Sequence, residues 1–349
     1  MQTRLIVALL CLVFFTLAGL ELVLTSLLFG NHIRDLAQVV RTYATFGSLD
    51  LELYTYPPDD IEVQFAAHSA QLAPKILHQI ILREGRNSSF EEYRTARDSC
   101  VDLHPDWEHM LWTDDNATSF VNTYYPDIYP HYEHYPQTIQ RTNILRYLFL
   151  HHYGGVYLDV DITCRVPLDS LLHMPFVTPG AHPAGINNAF ILAKPSHPFL
   201  SRAIARIPPR DIPWLLPYVE NMLTTGCMFI SNAWMEYMRH NDAIEWEDKV
   251  FVLADGRGKL GSHMLRGETT TPLFKHGGAS SWHSWDAQVI VSLGKYGKCL
   301  LIVAACLLLL LGVGTIVALL VRRRRKHALS RRGSGSDEEK VFGNKIHSH

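Results

Sequence analysis

Arg141-Thr142-Asn143-Ile144-Leu145-Arg146-Tyr147-Leu148-Phe149-Leu150-His151-His152-Tyr153 runs without a break into Gly154-Gly155-Val156-Tyr157-Leu158-Asp159-Val160-Asp161-Ile162. In the first half Ile144, Leu145, Tyr147, Leu148 and Leu150 recur at the spacing that lines one face of a helix, which predicts an α-helix over 140–153. Two glycines then end it, because glycine readily takes the backbone conformations found just past a helix. The second half is β-branched and apolar and predicts a buried strand over 156–162. Two carboxylates interrupt that strand, where an unpaired buried charge is costly, so they need a chemical reason to be there.

The same alternation extends outward. Lys75 to Leu82, preceded by Pro74, predicts the first strand of the core, Phe90 to Leu103 a helix, and Trp107 to Trp112 a second strand. Asn188 to Ala193 and Cys227 to Ile230 are further apolar runs of strand length. Strands alternating with helices predict an α/β domain with a mainly parallel sheet, placed at 73–290. Residues 31–72, with Tyr54-Thr55-Tyr56-Pro57-Pro58 breaking regular structure, are assigned as a stem.

The 349 residues are 47% hydrophobic, but unevenly so. Leu5 to Phe29 is apolar apart from Glu21, Thr16, Thr25 and a few small residues, and Cys299 to Val321 carries no charge. The second stretch matches the roughly 20 residues that cross about 30 Å of hydrocarbon. Residues 1–30 are assigned as an N-terminal signal-anchor, with a cleaved signal peptide as the alternative, and 299–321 as a transmembrane helix. Arg322-Arg323-Arg324-Arg325-Lys326 follows that helix, so the positive-inside rule places the 322–349 tail in the cytoplasm and the domain in the lumen. The tail is serine-, glycine- and charge-rich and is expected to be disordered. Sequons at Asn87 and Asn116 agree with a lumenal domain. A net charge of −2, with the basic residues clustered in the tail, gives no reason to expect a nucleic-acid partner. Three of the six cysteines, Cys100, Cys164 and Cys227, fall outside the apolar stretches; one disulfide and one free thiol is the simplest reading, with the pairing open.

Asp159 and Asp161 stand two apart, which in a regular strand puts both on one face. Two carboxylates aimed at one point repel, and a hard divalent cation, Mn²⁺ or Mg²⁺, relieves that repulsion. The same ion would neutralise a nucleoside diphosphate leaving from a sugar. There is no phosphate-binding Gly-x-x-x-x-Gly-Lys loop, no Gly-x-Ser-x-Gly elbow and no cysteine pair at zinc spacing, which leaves kinase and hydrolase readings without a motif.

The 141–161 block resembles the signature of the DXD-containing glycosyltransferases that include fungal α-mannosyltransferases and, more remotely, glucosylating bacterial toxins. Within that group it is similar to the catalytic subunits of the fungal inositolphosphoceramide mannosyltransferases. Pro74 to Ile80 resembles the family's opening strand, His276-Gly277-Gly278-Ala279-Ser280-Ser281-Trp282-His283 its C-terminal loop, and Asn187-Asn188 an asparagine region near the transferred sugar. The resemblance implies a GT-A-type nucleotide-sugar-binding fold, a retaining, metal-dependent transfer, catalytic Asp159 and Asp161, and a metal held by Asp161 and His283. It implies donor contacts from His78, Gln79, Asn143, Arg146, Tyr157, Asn188 and Trp282. Asn143 stands where the family usually has Asp, and Ile81 where it often has Trp. GDP-mannose is the implied donor, inositol phosphoceramide the implied acceptor, and Mn²⁺ or Mg²⁺ the metal. A Golgi membrane is the implied location and a multi-span regulatory subunit the implied partner. A protein-linked glycan as acceptor, or a non-catalytic membrane subunit that keeps the fold, are the alternatives.

Overall fold

The computed structural model describes residues 30, 32–34, 37–41, 44–46, 49–57, 70–82, 93–182, 184–239, 244–279, 283, 285–290 and 292. Both apolar stretches, the basic tail, Asn87 and Trp282 lie outside the described residues. Among those described, no helix is long and apolar enough to cross a membrane. They divide after His283 into two units. The second contributes a short helical segment over 285–290, and everything below concerns the first.

Its strands are β1 (Leu53–Thr55), β2 (Ile76–Ile80), β3 (Glu108–Trp112), β4 (Gly155–Leu158), β5 (Ile162–Cys164), β6 (Phe176–Pro179), β7 (Phe190–Ala193), β8 (Phe251–Ala254), β9 (Thr269–Thr270) and β10 (Phe274–His276). The helices are α1 (Arg94–Asp102), α2 (Asp114–Tyr124), α3 (Tyr129–His134), α4 (Thr138–Tyr153), α5 (Pro198–Ala205), α6 (Ile207–Arg210), α7 (Pro217–Thr224) and α8 (Cys227–Arg239). Seven strands form one sheet in the order β1-β8-β6-β7-β4-β2-β3, and β5-β10-β9 form a second, antiparallel sheet. In the large sheet only β7 runs against its neighbours, so the sheet is mainly parallel, as the alternation of elements predicts.

Both faces of the large sheet are buried, and β4 shows how. Val156 and Leu158 point into one apolar cluster with Leu77, Phe190 and Leu192, while Tyr157 points into the other with Phe149, Ile191 and Ala193. Successive side chains of a strand alternate faces, so a strand covered on both sides must be apolar throughout. Helix α4 sits in the second cluster, buried from Asn143 through Leu150. The sequence predicts one covered face; α5, α7 and the sheet cover nearly the whole girdle.

Gly154 and Gly155 let α4 pass directly into β4. Both have positive φ, at 71° and 96°. A Cβ on Gly154 would lie 2.6 Å from Pro195 Cδ, and one on Gly155 would lie 2.6 Å from the Ile76 carbonyl oxygen. Any side chain at 155 would push β4 off β2.

Three expectations are corrected. Cys227 to Ile230 opens helix α8, because Phe229, Ile230, Ala233, Trp234 and Tyr237 continue the run at helical spacing and are all buried. Leu53–Thr55, assigned to the stem, is an edge strand parallel to β8, with Tyr54 buried. The strand predicted over 156–162 is two strands in different sheets: β4 stops at Leu158, the chain turns with Ile162 N–H donating to the Asp159 carbonyl at 3.0 Å, and β5 begins at Ile162. Both carboxylates therefore stand in a turn, where the backbone itself leaves the core. Cys100 of α1 is bonded to Cys164 of β5, and Cys227 is the free thiol. That bridge fixes the strand three residues beyond Asp161.

Candidate active site

The turn lies at the carboxyl end of β4, the end of a parallel strand where open α/β sheets bind ligands. Asp159 follows Tyr157 on the same side of the chain, and the Tyr157 hydroxyl donates to its Oδ1. Arg146, one face of α4 away, is 2% exposed and places Nη1 3.3 Å from that same Oδ1. Its guanidinium lies over the Tyr157 ring at 4.5 Å, and Nη1 donates to the Asn188 carbonyl at 2.5 Å. A buried cation is thus satisfied by a carboxylate, a carbonyl and a ring face.

Asp159 feels opposing forces. Burial raises its carboxyl above the usual range, Arg146 pulls it down, Asp161 pushes it up and the Tyr157 hydroxyl pulls it down; burial prevails. Burial also pushes the Tyr157 phenol well up, so it remains a donor at any ordinary pH. An ionised Asp159 beside Asp161 carries a cost that a positively charged ligand removes.

Asp161 belongs to the second sheet's side of the turn. Its carbonyl accepts from Gly277 N–H at 2.9 Å, and its Oδ2 accepts from Ala279 N–H at 3.1 Å. A Cβ on Gly277 would lie 3.1 Å from the Asp161 carbonyl oxygen, and one on Gly278, whose φ is 65°, would collide with the Gly267 backbone. The glycine pair is what lets the 276–279 segment lie flat on Asp161. His276, the last residue of β10, directs Nε2 to Asp161 Oδ2 at 3.6 Å while Nδ1 donates to the Gly267 carbonyl at 2.7 Å. That second bond fixes the ring with Nε2 turned toward the carboxylate, so that a cation between the two would meet both.

The imidazole that sequence reasoning assigns to the metal, His283, has its ring 5.5 Å from the Tyr218 ring. The sequence places His276 at the head of the C-terminal loop block without giving it a role. Its signal is its place at the end of Leu273-Phe274-Lys275-His276, where apolar and polar residues alternate as in a half-buried strand, directly before the glycines.

Asn143 and Asn188 meet behind Arg146. The Asn143 amide donates to Asn221 Oδ1 at 2.8 Å and accepts from Asn188 Nδ2 at 3.1 Å; Asn188 Nδ2 also donates to the Tyr147 hydroxyl at 2.9 Å. Asn188 Oδ1 accepts from the Cys227 thiol at 3.0 Å, and Thr225 closes the network by accepting from both Asn143 and Tyr147. An amide at 143 suits these partners because Asn221 and Thr225 both present oxygens to it, which a carboxylate would oppose. Through the Asn188 backbone this network holds Arg146, so both asparagines position the cation.

His78 is fully buried and has no surface to offer a ligand. Its Nε2 donates to the Gly154 carbonyl at 2.9 Å, its Nδ1 accepts from the Trp112 indole at 3.1 Å, and its ring stacks on Phe149 at 4.4 Å. Burial pulls its pKa down to about 4. It braces the carbonyl of the glycine turn that launches β4. Gln79 faces the other way, beside Leu111 of β3, and its buried Nε2 has no hydrogen-bond partner.

Two carboxylates and an imidazole suit a hard divalent cation that takes its remaining oxygens from a bound diphosphate. Among the described residues no three His, Cys, Asp or Glu side chains close a cage around one point.

Residues 91–177 match the family model described as the glycosyltransferase sugar-binding region containing the DXD motif. The chain is 32% identical over 251 residues to inositol phosphoceramide mannosyltransferase 3 of Schizosaccharomyces pombe, covering 70% of this chain and 67% of that one. It is 35% identical over 223 residues to the mannosyl phosphorylinositol ceramide synthase SUR1 of Saccharomyces cerevisiae, covering 64% and 55%. The solved PaToxG glycosyltransferase superposes with a TM-score of 0.40 at 16% identity over 60% of this chain and 82% of that one, too loose a likeness to bear on the site.

Proposed function

Because this chain belongs to the DXD-containing glycosyltransferases, in the family of the fungal inositol phosphoceramide mannosyltransferases, we propose that it transfers mannose from GDP-mannose to inositol phosphoceramide. The reaction proposed is a retaining, cation-dependent transfer at the lumenal face of a Golgi membrane, with both apolar stretches spanning the bilayer. The observation that carries this reading is the convergence of Arg146, Asp159, Asp161 and His276 on one turn at the carboxyl end of β4.

Asp161 and His276 are the residues that would hold the cation, with Asp159 adding charge beside them. When bound, the ion supplies positive charge to the departing nucleoside diphosphate. Arg146 keeps Asp159 oriented and favours its ionised form, while the Tyr157 hydroxyl holds the same oxygen and fixes the carboxylate plane. That leaves the other Asp159 oxygen for the donor. Gly277 and Gly278 supply backbone without side chains where the diphosphate needs close approach.

The test is expression of the full chain in a fungal strain lacking its own inositolphosphoceramide mannosyltransferases, with mannosylated sphingolipid measured beside an Asp159→Ala/Asp161→Ala version. Product from the parent alone is expected. A well-expressed parent that makes none refutes the acceptor assignment.

A further inference from the structure

The connection between α6 and α7 reads Ile212-Pro213-Trp214-Leu215-Leu216-Pro217, and Leu215 at its tip is 97% exposed. The base of this loop is held firmly. Trp214 N–H donates to Glu220 Oε2 at 2.8 Å, and Gln137 Nε2 donates to the Pro217 carbonyl at 2.9 Å. The braced loop thus presents Leu215 uncovered at its tip, between a half-buried Trp214 and a half-buried Leu216.

Two further contacts indicate what covers it. His32 Nε2 donates to the Pro213 carbonyl at 3.0 Å, and its ring meets the Trp214 ring edge-on at 4.4 Å. His32 stands three residues after Phe29, where the first apolar stretch ends. On the loop's other flank the Tyr218 ring lies 5.5 Å from that of His283, and the second apolar stretch begins sixteen residues later at Cys299. His32, three residues past the first apolar stretch, and His283, sixteen before the second, therefore both stand beside this loop. Tryptophan and leucine at the margin of membrane-entering chain are the residues that settle at a bilayer interface.

We propose that the 212–217 loop inserts Leu215 into the surface of the bilayer that the two apolar stretches enter, turning the catalytic face toward a lipid-borne acceptor. Helix α7 starts at the loop's end, and its Asn221 accepts from Asn143 in the network that holds Arg146, so the loop that meets lipid is one helix from the catalytic cation. The inference rests on the membrane anchoring and lipid acceptor proposed above.

The test uses the purified full chain reconstituted into phosphatidylcholine vesicles with the catalytic domain outward. A membrane-impermeant maleimide is applied to Leu215→Cys and to Glu108→Cys, the latter exposed at the amino end of β3 and at the opposite end of the parallel strands from Asp159. Each rate is corrected for the parent chain's own thiols and normalised to the denatured protein. Leu215→Cys is expected to react at least tenfold more slowly than Glu108→Cys; equal rates overturn the proposal. Protection that rises with protein concentration at fixed lipid marks a second copy of the chain as the cover and also overturns it. In the same vesicles Leu215→Asp is expected to raise KM for bilayer-borne acceptor several-fold with kcat unchanged, and an unchanged KM counts against insertion. A parent that transfers no sugar refutes the proposed function, while the labelling rates still decide whether the loop meets lipid.

Discussion

Replacing Arg146 by methionine keeps the length of the side chain and removes its charge. Four interactions go at once: the ion pair with Asp159, the donations to the Asn188 and Thr142 carbonyls and the stack on Tyr157. Breaking a buried pair by removing one partner costs about 3–5 kcal/mol, because the remaining charge is left uncompensated. The Asp159 side chain keeps 30% of its exposure, so water screens part of that charge and the lower end, about 3 kcal/mol, applies. For a domain of this size about 3 kcal/mol is roughly 6–12 °C in Tm. The assay is thermal unfolding of the purified chain for Arg146→Met, Asp159→Asn and the double variant. If the cost is an orphaned carboxylate, the double variant recovers at least about 1 kcal/mol relative to Arg146→Met, a coupling that contacting residues show and distant ones do not. Transfer activity stays lost in all three. An Arg146→Met protein that melts within about 2 °C of the parent, or a double variant no more stable than Arg146→Met, refutes the account of Arg146 as counter-charge to Asp159.

Three other outcomes are expected. His276→Ala raises the Mn²⁺ concentration for half-maximal transfer by about tenfold or more, as loss of an ion's protein partner does, whereas His283→Ala leaves it unchanged; the reverse pattern in a metal titration restores the sequence assignment. Removing the Cys100–Cys164 bridge, which spans 64 residues, with a Cys100→Ala/Cys164→Ala chain lowers stability by about 4 kcal/mol on the loop-entropy estimate, measured as a fall in Tm. His78, with its pKa near 4 in the fold against about 6.5 unfolded, excludes a proton that the unfolded chain accepts. Stability is therefore complete above pH 6.5 and is lost as pH falls toward 4, by about 3 kcal/mol in all. His78→Phe flattens that part of the curve and costs about 1–3 kcal/mol for each partner, Trp112 and Gly154, left unsatisfied. A pH profile of the variant parallel to the parent's contradicts this assignment.

The sequence by itself determined the local grammar. Helical spacing over 140–153, the Gly154-Gly155 stop and the apolar run after it fixed α4 and β4, because local periodicity and glycine's backbone freedom act within a few residues. It also marked Asp159 and Asp161, since a charge inside an apolar run stands out without any partner being known. Tertiary structure decided what those residues meet. That the strand stops at Leu158 depends on β5 pairing with β10, over a hundred residues away, and that pairing is also what sets His276 beside Asp161. His78 and His276 look alike in one dimension; one is buried under Trp112 and the other faces a carboxylate because of strands that only the folded chain brings together. The short run Cys227 to Ile230 fits a strand or a helix equally well, and packing against α5 and α7 chose the helix. Contacts between residues far apart in the chain leave no periodic trace in the sequence, so the arrangement of the site was settled only in the fold.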